Sequence, residues 1–272
     1  MRPEVTQPIV VAAFEGWNDA GDAATSAIAH LASVWNAVPF ADLDPEDFYD
    51  FTQTRPHVRI VDDDRRELDW PENTFSLARP PGAPDVVLVS GIEPQLRWRT
   101  FCDQITEVAN AMGARLVLTV GALLADVAHT RPTSVFGSAY EPSVVEALHL
   151  EPSRYEGPTG IVGVLHNRCA DAGLKSASLW AAVPSYVPAA PSPKAALALV
   201  HRVGTILGTE VPAGDLEAES VAYEEQISEL VEEDDDTVAY VRHLEETYDR
   251  DGMDEHTADE LVAEVERFLR DQ

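Results

Sequence analysis

Basic side chains are scarce in this sequence. Its 272 residues carry 19 Lys and Arg against 48 Asp and Glu, a formal net charge of -29. Such a surface repels phosphate backbones, which excludes nucleic acid as a partner, and it disfavours anionic membranes. Cysteine is nearly missing as well. Cys102 and Cys169 form no metal or redox spacing, and each falls in an expected helix as a buried, inert thiol. No apolar run is long enough to span a bilayer, and the N-terminus lacks a signal-peptide pattern, so a cytoplasmic protein with no membrane partner is expected. Clustered His and Cys are missing, so no metal site is expected and no cofactor is implied. There is no GxxxxGK[ST] phosphate loop and no GxSxG nucleophile turn. Gly157-Pro158-Thr159-Gly160 with Gly163 leads into an expected strand, whereas a dinucleotide fingerprint follows one. Asp62-Asp63-Asp64-Arg65-Arg66 lacks the glycine and distal glutamate of a calcium loop and reads as a hairpin-like polar turn.

What is present begins with Ile9–Phe14, an apolar, β-branched run. It passes through the polar turn Glu15–Asp19 into an Ala-rich segment with Ile28, Leu31, Ala32 and Trp35 at helical spacing. Strand, turn, helix is the start of a parallel α/β sheet. Further strands are expected at Asp47–Thr52, Val58–Val61, Val86–Ser90, Leu116–Val120, Ser134–Tyr140, Ile161–Leu165 and Ser176–Val183. Helices are expected at Asp19–Asn36, Leu96–Met112, Pro142–Leu148, Asn167–Ala172 and Pro193–Leu207. Runs that are nearly all apolar suit strands covered on both faces. The alternation predicts an α/β fold, a three-layer α/β/α sandwich on a mostly parallel mixed sheet, with Ala41–Arg79 supplying an antiparallel or edge portion.

Charge divides the chain. Residues 1–214 hold 26 acidic and 15 basic side chains, whereas residues 215–272 hold 22 and 4. The break falls at Pro212-Ala213-Gly214-Asp215, a turn signal. The expected organisation is an α/β core over 1–214 and an acidic helical appendage over 215–272. The appendage shows apolar stripes at Leu216, Tyr223, Ile227 and Leu230, at Val238, Val241, Leu244 and Tyr248, and at Leu261, Val262, Val265, Phe268 and Leu269, the last opened by a Thr257/Glu260 capping box. Tyr223, Ile227, Leu230, Val241, Leu244, Leu261, Val265 and Phe268 are candidates for an interaction surface, against the alternative that they pack on the core or each other.

In open α/β sheets ligands bind beyond the carboxyl ends of the strands. The polar residues expected there include Glu15, Asn18, Asp19, Asp22, Glu93, His129, Arg131 and Asn167. Carboxylates, a histidine and an arginine together suit a polar ligand or acid–base chemistry. Each has a structural alternative. Asp19 and Asp22 suit a helix start, Glu93 could begin a helix, Asn167 could cap one, and His129 could bond within its loop.

The stretch Phe14–Leu31, FEGWNDAGDAATSAIAHL, resembles the signature of the PAC2 family, the proteasome-assembly-chaperone-like proteins, in its actinobacterial branch. The same resemblance covers Val89–Pro94 with Trp98, Val120–Val127 with His129-Thr130-Arg131-Pro132, Tyr155–Gly163, and Pro184–Val187. It implies a phosphorylase-like three-layer fold, a homo-oligomer, taken here as a trimer, and 20S proteasome α subunits as partners. The alternatives are a nucleoside phosphorylase- or hydrolase-type enzyme or binder, and a self-associating scaffold. Some relatives dock through a terminal hydrophobic-Tyr-any tail. Here the penultimate residue is Asp271, so that mechanism is not carried over.

Overall fold

The computed structural model describes residues 3–61, 65–152 and 156–251. In chain order its elements are β1 (Ile9–Glu15), α1 (Ala23–Val34), β2 (Val38–Leu43), β3 (His57–Val61), β4 (Arg65–Asp69), β5 (Asn73–Ala78), β6 (Val86–Ile92), α2 (Trp98–Met112) and β7 (Leu116–Ala125). They continue with β8 (Val135–Ala139), α3 (Pro142–Leu148), β9 (Glu151–Pro152), α4 (Ile161–Asp171), β10 (Ser176–Pro184), α5 (Pro193–Leu207), α6 (Leu216–Val231) and α7 (Asp235–Asp251). Eight strands form one sheet in the order β2-β5-β6-β1-β7-β10-β8-β9. β6, β1, β7 and β10 run parallel at its centre, while β2, β5 and β8 join antiparallel.

The apolar runs are explained by cover on both faces. Ile9, Val11 and Ala13 enter one core with α1 and α5, and Val10, Ala12 and Phe14 enter the other with α2 and α4. Successive side chains on a strand point to opposite faces, so a strand between two helical layers must be apolar at every position. Small residues Ala23, Ala24 and Ala27 bring α1 close to the sheet. On the far face Phe101 of α2 stands edge-on between Phe14 and Phe48, with ring centroids at 5.5 and 5.3 Å. The fold is thus the three-layer α/β/α arrangement that the strand–helix alternation predicts.

Two expected strands are not strands. Ile161–Leu165 opens α4, and the helix expected at Asn167–Ala172 is the rest of it. Ile161, Val162, Leu165, His166 and Cys169 are the buried residues, which is helical spacing. The β-branched Ile-Val pair gave the strand reading. Asp47–Thr52 is a turn: Asp44 accepts from the Glu46 N–H at 3.0 Å and Asp50 from the Thr52 N–H at 2.9 Å. Side chains that bond their own backbone two residues on hold turns rather than ladders. Of the polar turn expected over 62–66, residues 62–64 lie outside the described residues and Arg65 and Arg66 belong to β4, which pairs with β3 as an antiparallel ribbon separate from the main sheet.

α6 lies along α5, and α7 folds back on α6. Tyr223, Ile227, Val231, Val241 and Leu244 are buried with Ala128 and Val187 in a core of their own. Leu230 is exposed, and Val231 takes the place expected for it. Tyr223, Ile227 and Val231 recur every four residues, and Leu230 lies one helical step, about 100°, off that line. Four candidates for a partner surface, Tyr223, Ile227, Val241 and Leu244, therefore face inward. Leu261, Val265, Phe268 and the capping box lie outside the described residues. No described helix is long and apolar enough to cross a membrane.

Candidate functional site

Two groups of polar side chains stand at the carboxyl ends of the central strands. The first follows β1. Gly16 takes a positive φ of 134°, which turns the chain so that Asn18 and Asp19 re-enter beside β7. The Asn18 carbonyl accepts the Ala122 N–H at 2.8 Å. The Asn18 side chain is buried against Gly160, with its Oδ1 unpartnered. A Cβ on Gly160 would stand 2.0 Å from that oxygen, so only glycine lets α4 start there.

Glu93, just past β6, joins these pieces. Its Oε1 accepts the Ile161 N–H at 2.8 Å and its Oε2 the Trp17 N–H at 3.4 Å. Its own N–H donates to the Glu15 carbonyl at 2.8 Å. The carboxylate sits at the positive end of α4, where free N–H groups and the helix dipole favour an anion. Asp19 plays the same part for α1. It is 5% exposed, and Ala24 and Thr25 donate their N–H groups to Oδ1 at 2.6 and 3.3 Å. The Thr25 hydroxyl donates to Oδ2. Burial pushes the Asp19 carboxyl up to about 6, against the opposing pull of those hydrogen bonds. Asp22 is exposed, and its carbonyl, not its carboxylate, faces Thr25 at 3.4 Å. The Glu15 side chain is exposed.

The second group is the loop after β7. His129 is 3% exposed, with Nδ1 2.7 Å from the Tyr186 hydroxyl and Nε2 2.9 Å from Ser228 Oγ on α6. Its N–H also donates to the Tyr186 hydroxyl at 2.8 Å, and its carbonyl accepts from Lys194. Arg131 grips α7, donating from Nε and Nη2 to both oxygens of Asp249 at 2.8 and 2.6 Å and from Nη1 to Glu245 at 3.3 Å. Thr130 donates to Glu245, and Lys194 to Glu224. Burial holds the His129 imidazole below its ordinary value; Glu224 and Glu245 pull upward and Lys194 pulls down. A cavity of about 10 Å³ lies beside His129, Lys194 and Tyr223. That is room for about one water, far below the roughly 300 Å³ of a metabolite pocket.

The eight candidate pocket residues thus divide. Asn18, Asp19 and Glu93 meet around the starts of α1 and α4, with Glu15 and Asp22 exposed at the edge. His129 and Arg131 bind the acidic helices. Asn167 belongs to neither group: it is exposed inside α4, because the segment before it is helix, so it follows no strand. Three contributors were not among the polar residues expected at the strand ends, Gly160, Lys194 and Ser228, whereas Tyr186 was expected there as following the last strand. Lys194 had a sequence signal. It lies in the first turn of α5, where a cation is disfavoured unless a carboxylate or carbonyl receives it.

With this geometry in place, the chain can be set beside known proteins. The PAC2 family model matches residues 13–231, a span that runs from β1 through the whole of α6. A PAC2 family protein of Streptomyces avermitilis is 45% identical, with a TM-score of 0.81, over 86% of this chain and 99% of that one. A proteasome-assembly chaperone homologue of Mycobacterium tuberculosis is 50% identical, with a TM-score of 0.78, over the same shares. An archaeal proteasome activator of Pyrococcus furiosus, 20% identical over 85% of this chain and 96% of its own, shares the fold at a TM-score of 0.68. No curated protein matches. The matched span and the two relatives at 45% and 50% identity agree, and the chain belongs to the PAC2 family.

Proposed function

We propose that this protein is a non-enzymatic, cytoplasmic assembly factor, homo-oligomeric and taken here as a trimer, that binds 20S proteasome α subunits. One observation carries it: the loop Ala128–Arg131, together with Lys194, fastens a strongly acidic helical pair over the strand ends. The rim side chains best suited to chemistry are spent holding helices. What the molecule offers there is a fixed acidic protein surface, which suits a basic partner surface by charge complementarity. Support also comes from the 50% identical relative described as a proteasome-assembly chaperone homologue. Residues 1–214 act as the core and 215–272 as the acidic appendage. Native mass spectrometry with the host's 20S α subunits tests the proposal. A complex at micromolar protein that weakens as salt rises is expected; none at low salt rejects it.

A second reading rests on Asn18. Its buried, unpartnered Oδ1 faces Gly160, one residue before the Ile161 N–H that Glu93 receives, and such an acceptor would take a small ligand bearing N–H or O–H donors. In a thermal-shift series, nucleosides should then raise Tm while inorganic phosphate does not, and the rise should vanish in Asn18→Ala. Flat traces for nucleosides exclude this reading.

A further inference from the structure

The buried stripe of α6 carries one polar atom that its packing does not call for. Tyr223 is 5% exposed, and its hydroxyl is buried without a hydrogen-bond partner. Phenylalanine would fill the stripe beside Ile227 and Val231 equally well, so the hydroxyl needs its own account. Burial pushes the phenol up, with the nearby Ser192 side chain pulling the other way, so Tyr223 stays a neutral donor. A buried hydroxyl left unmet is costly, and in native folds such groups are nearly always satisfied.

Tyr223 lines the cavity of about 10 Å³ at the meeting of α5, α6 and the loop after β7, with Ser192, Lys194 and Thr133 among its other polar walls. Two of these have bonding capacity to spare. Ser192 Oγ accepts the Ala195 N–H at 3.3 Å, which leaves its own proton and a second lone pair. Lys194 donates to the His129 carbonyl and to Glu224, and an ammonium has three hydrogens. His129 also lines the space, but both of its nitrogens are taken. A cavity of this size holds one water, and a buried water needs two to four polar partners. Charge argues against an ion: Lys194 is matched by Glu224, and Arg131 by Glu245 and Asp249.

We infer that this cavity is the binding site of a single structural water, which takes the Tyr223 proton and the third Lys194 hydrogen and donates to Ser192 Oγ. Through it α6 is seated on α5, beside the direct bond from His129 to Ser228. The two attachments lie five residues apart on α6, so successive turns of the helix are held. The stripe therefore requires tyrosine at this one place and only apolar bulk at the others. The inference goes beyond the assembly role proposed above and stands whichever protein the acidic pair binds.

Tyr223→Phe in the full chain tests it by the sign of its effect. With the water in place the substitution removes one hydrogen bond, and Tm should fall by roughly 2–4 °C. Amide exchange in α6 should quicken while β1 and β7 stay protected. In a dry cavity the same change relieves an unmet hydroxyl, and Tm should hold or rise, which overturns the inference. A high-resolution crystal structure of the wild type should show one ordered water within hydrogen-bond distance of Tyr223 Oη. In crystals of the Tyr223→Phe variant that water should be lost or drawn toward Lys194. A wild-type crystal in which Tyr223 bonds Ser192 directly, an ion fills the space, or no density lies there also overturns it. None of these outcomes bears on the assembly role.

Discussion

His129→Ala is expected to free α6 and α7 from the strand ends and to cost about 2–4 kcal/mol, a Tm fall of roughly 5–10 °C. The imidazole is 3% exposed and spans from Tyr186 to Ser228, 99 residues further along the chain. The hydrogen-bond pattern suits one tautomer. The Tyr186 hydroxyl oxygen accepts the His129 backbone N–H, which leaves its proton to donate to Nδ1. The other nitrogen then carries the hydrogen and donates to Ser228 Oγ, so the ring is neutral. Alanine removes both bonds and leaves two hydroxyls and a void behind. The loss should be local first: amide exchange in α6 and α7 should quicken while β1, β6 and β7 stay protected. His129→Gln, with one donor and one acceptor, should recover part of the stability. Equal loss of protection across the sheet and the appendage would show that the loop is not the fastening.

The same loop shows what a sequence can disclose. Residues 9–14 were readable as a central strand because cover on both faces leaves one solution, all apolar. α5 was readable from Pro193 at its first turn to Gly208 after its last residue, since Ser192 caps one end and a positive φ ends the other. α4 was not, because Ile161-Val162 looks like strand, and what makes it a helix start is remote. The carboxylate that receives its first N–H is Glu93, 68 residues earlier. Periodicity reports an element's own faces, and a cap borrowed from elsewhere leaves no local mark. The candidate site fared likewise. Residue type singled out Asp19, Glu93, His129 and Arg131, yet type does not separate a carboxylate awaiting a substrate from one already occupied by helix N–H groups. Leu230 against Val231 is the smaller version: both fit an apolar stripe, and only packing on Ala128 and Val187 selects one.

Asp19→Asn should stabilise the protein at neutral pH and do nothing in acid. With its carboxyl near 6 in the fold against 3.8 in the unfolded chain, Asp19 binds its proton more tightly when folded. Its full contribution is present below the unfolded value. It is lost as pH rises, and the cost is complete above about pH 6. A shift of about two units corresponds to about 3 kcal/mol, the upper limit of what the charge costs there. Asparagine keeps an oxygen for the Ala24 and Thr25 N–H groups and turns an amide donor toward the Thr25 hydroxyl, so α1 stays capped. Alanine would lose the cap as well as the charge. His129 acts with the opposite sign. Its folded value is lowered, so its contribution is present above the ordinary histidine value and is lost as pH falls below it. The two groups oppose each other across mild acid, and the wild-type profile understates both. The difference between Asp19→Asn and wild type removes His129 from the comparison, because that term is common to both proteins. Urea midpoints should coincide near pH 4 and separate progressively to pH 7, with the variant above. Curves that stay parallel across that range would mean that Asp19 carries its charge at no cost, through the two backbone N–H groups of α1.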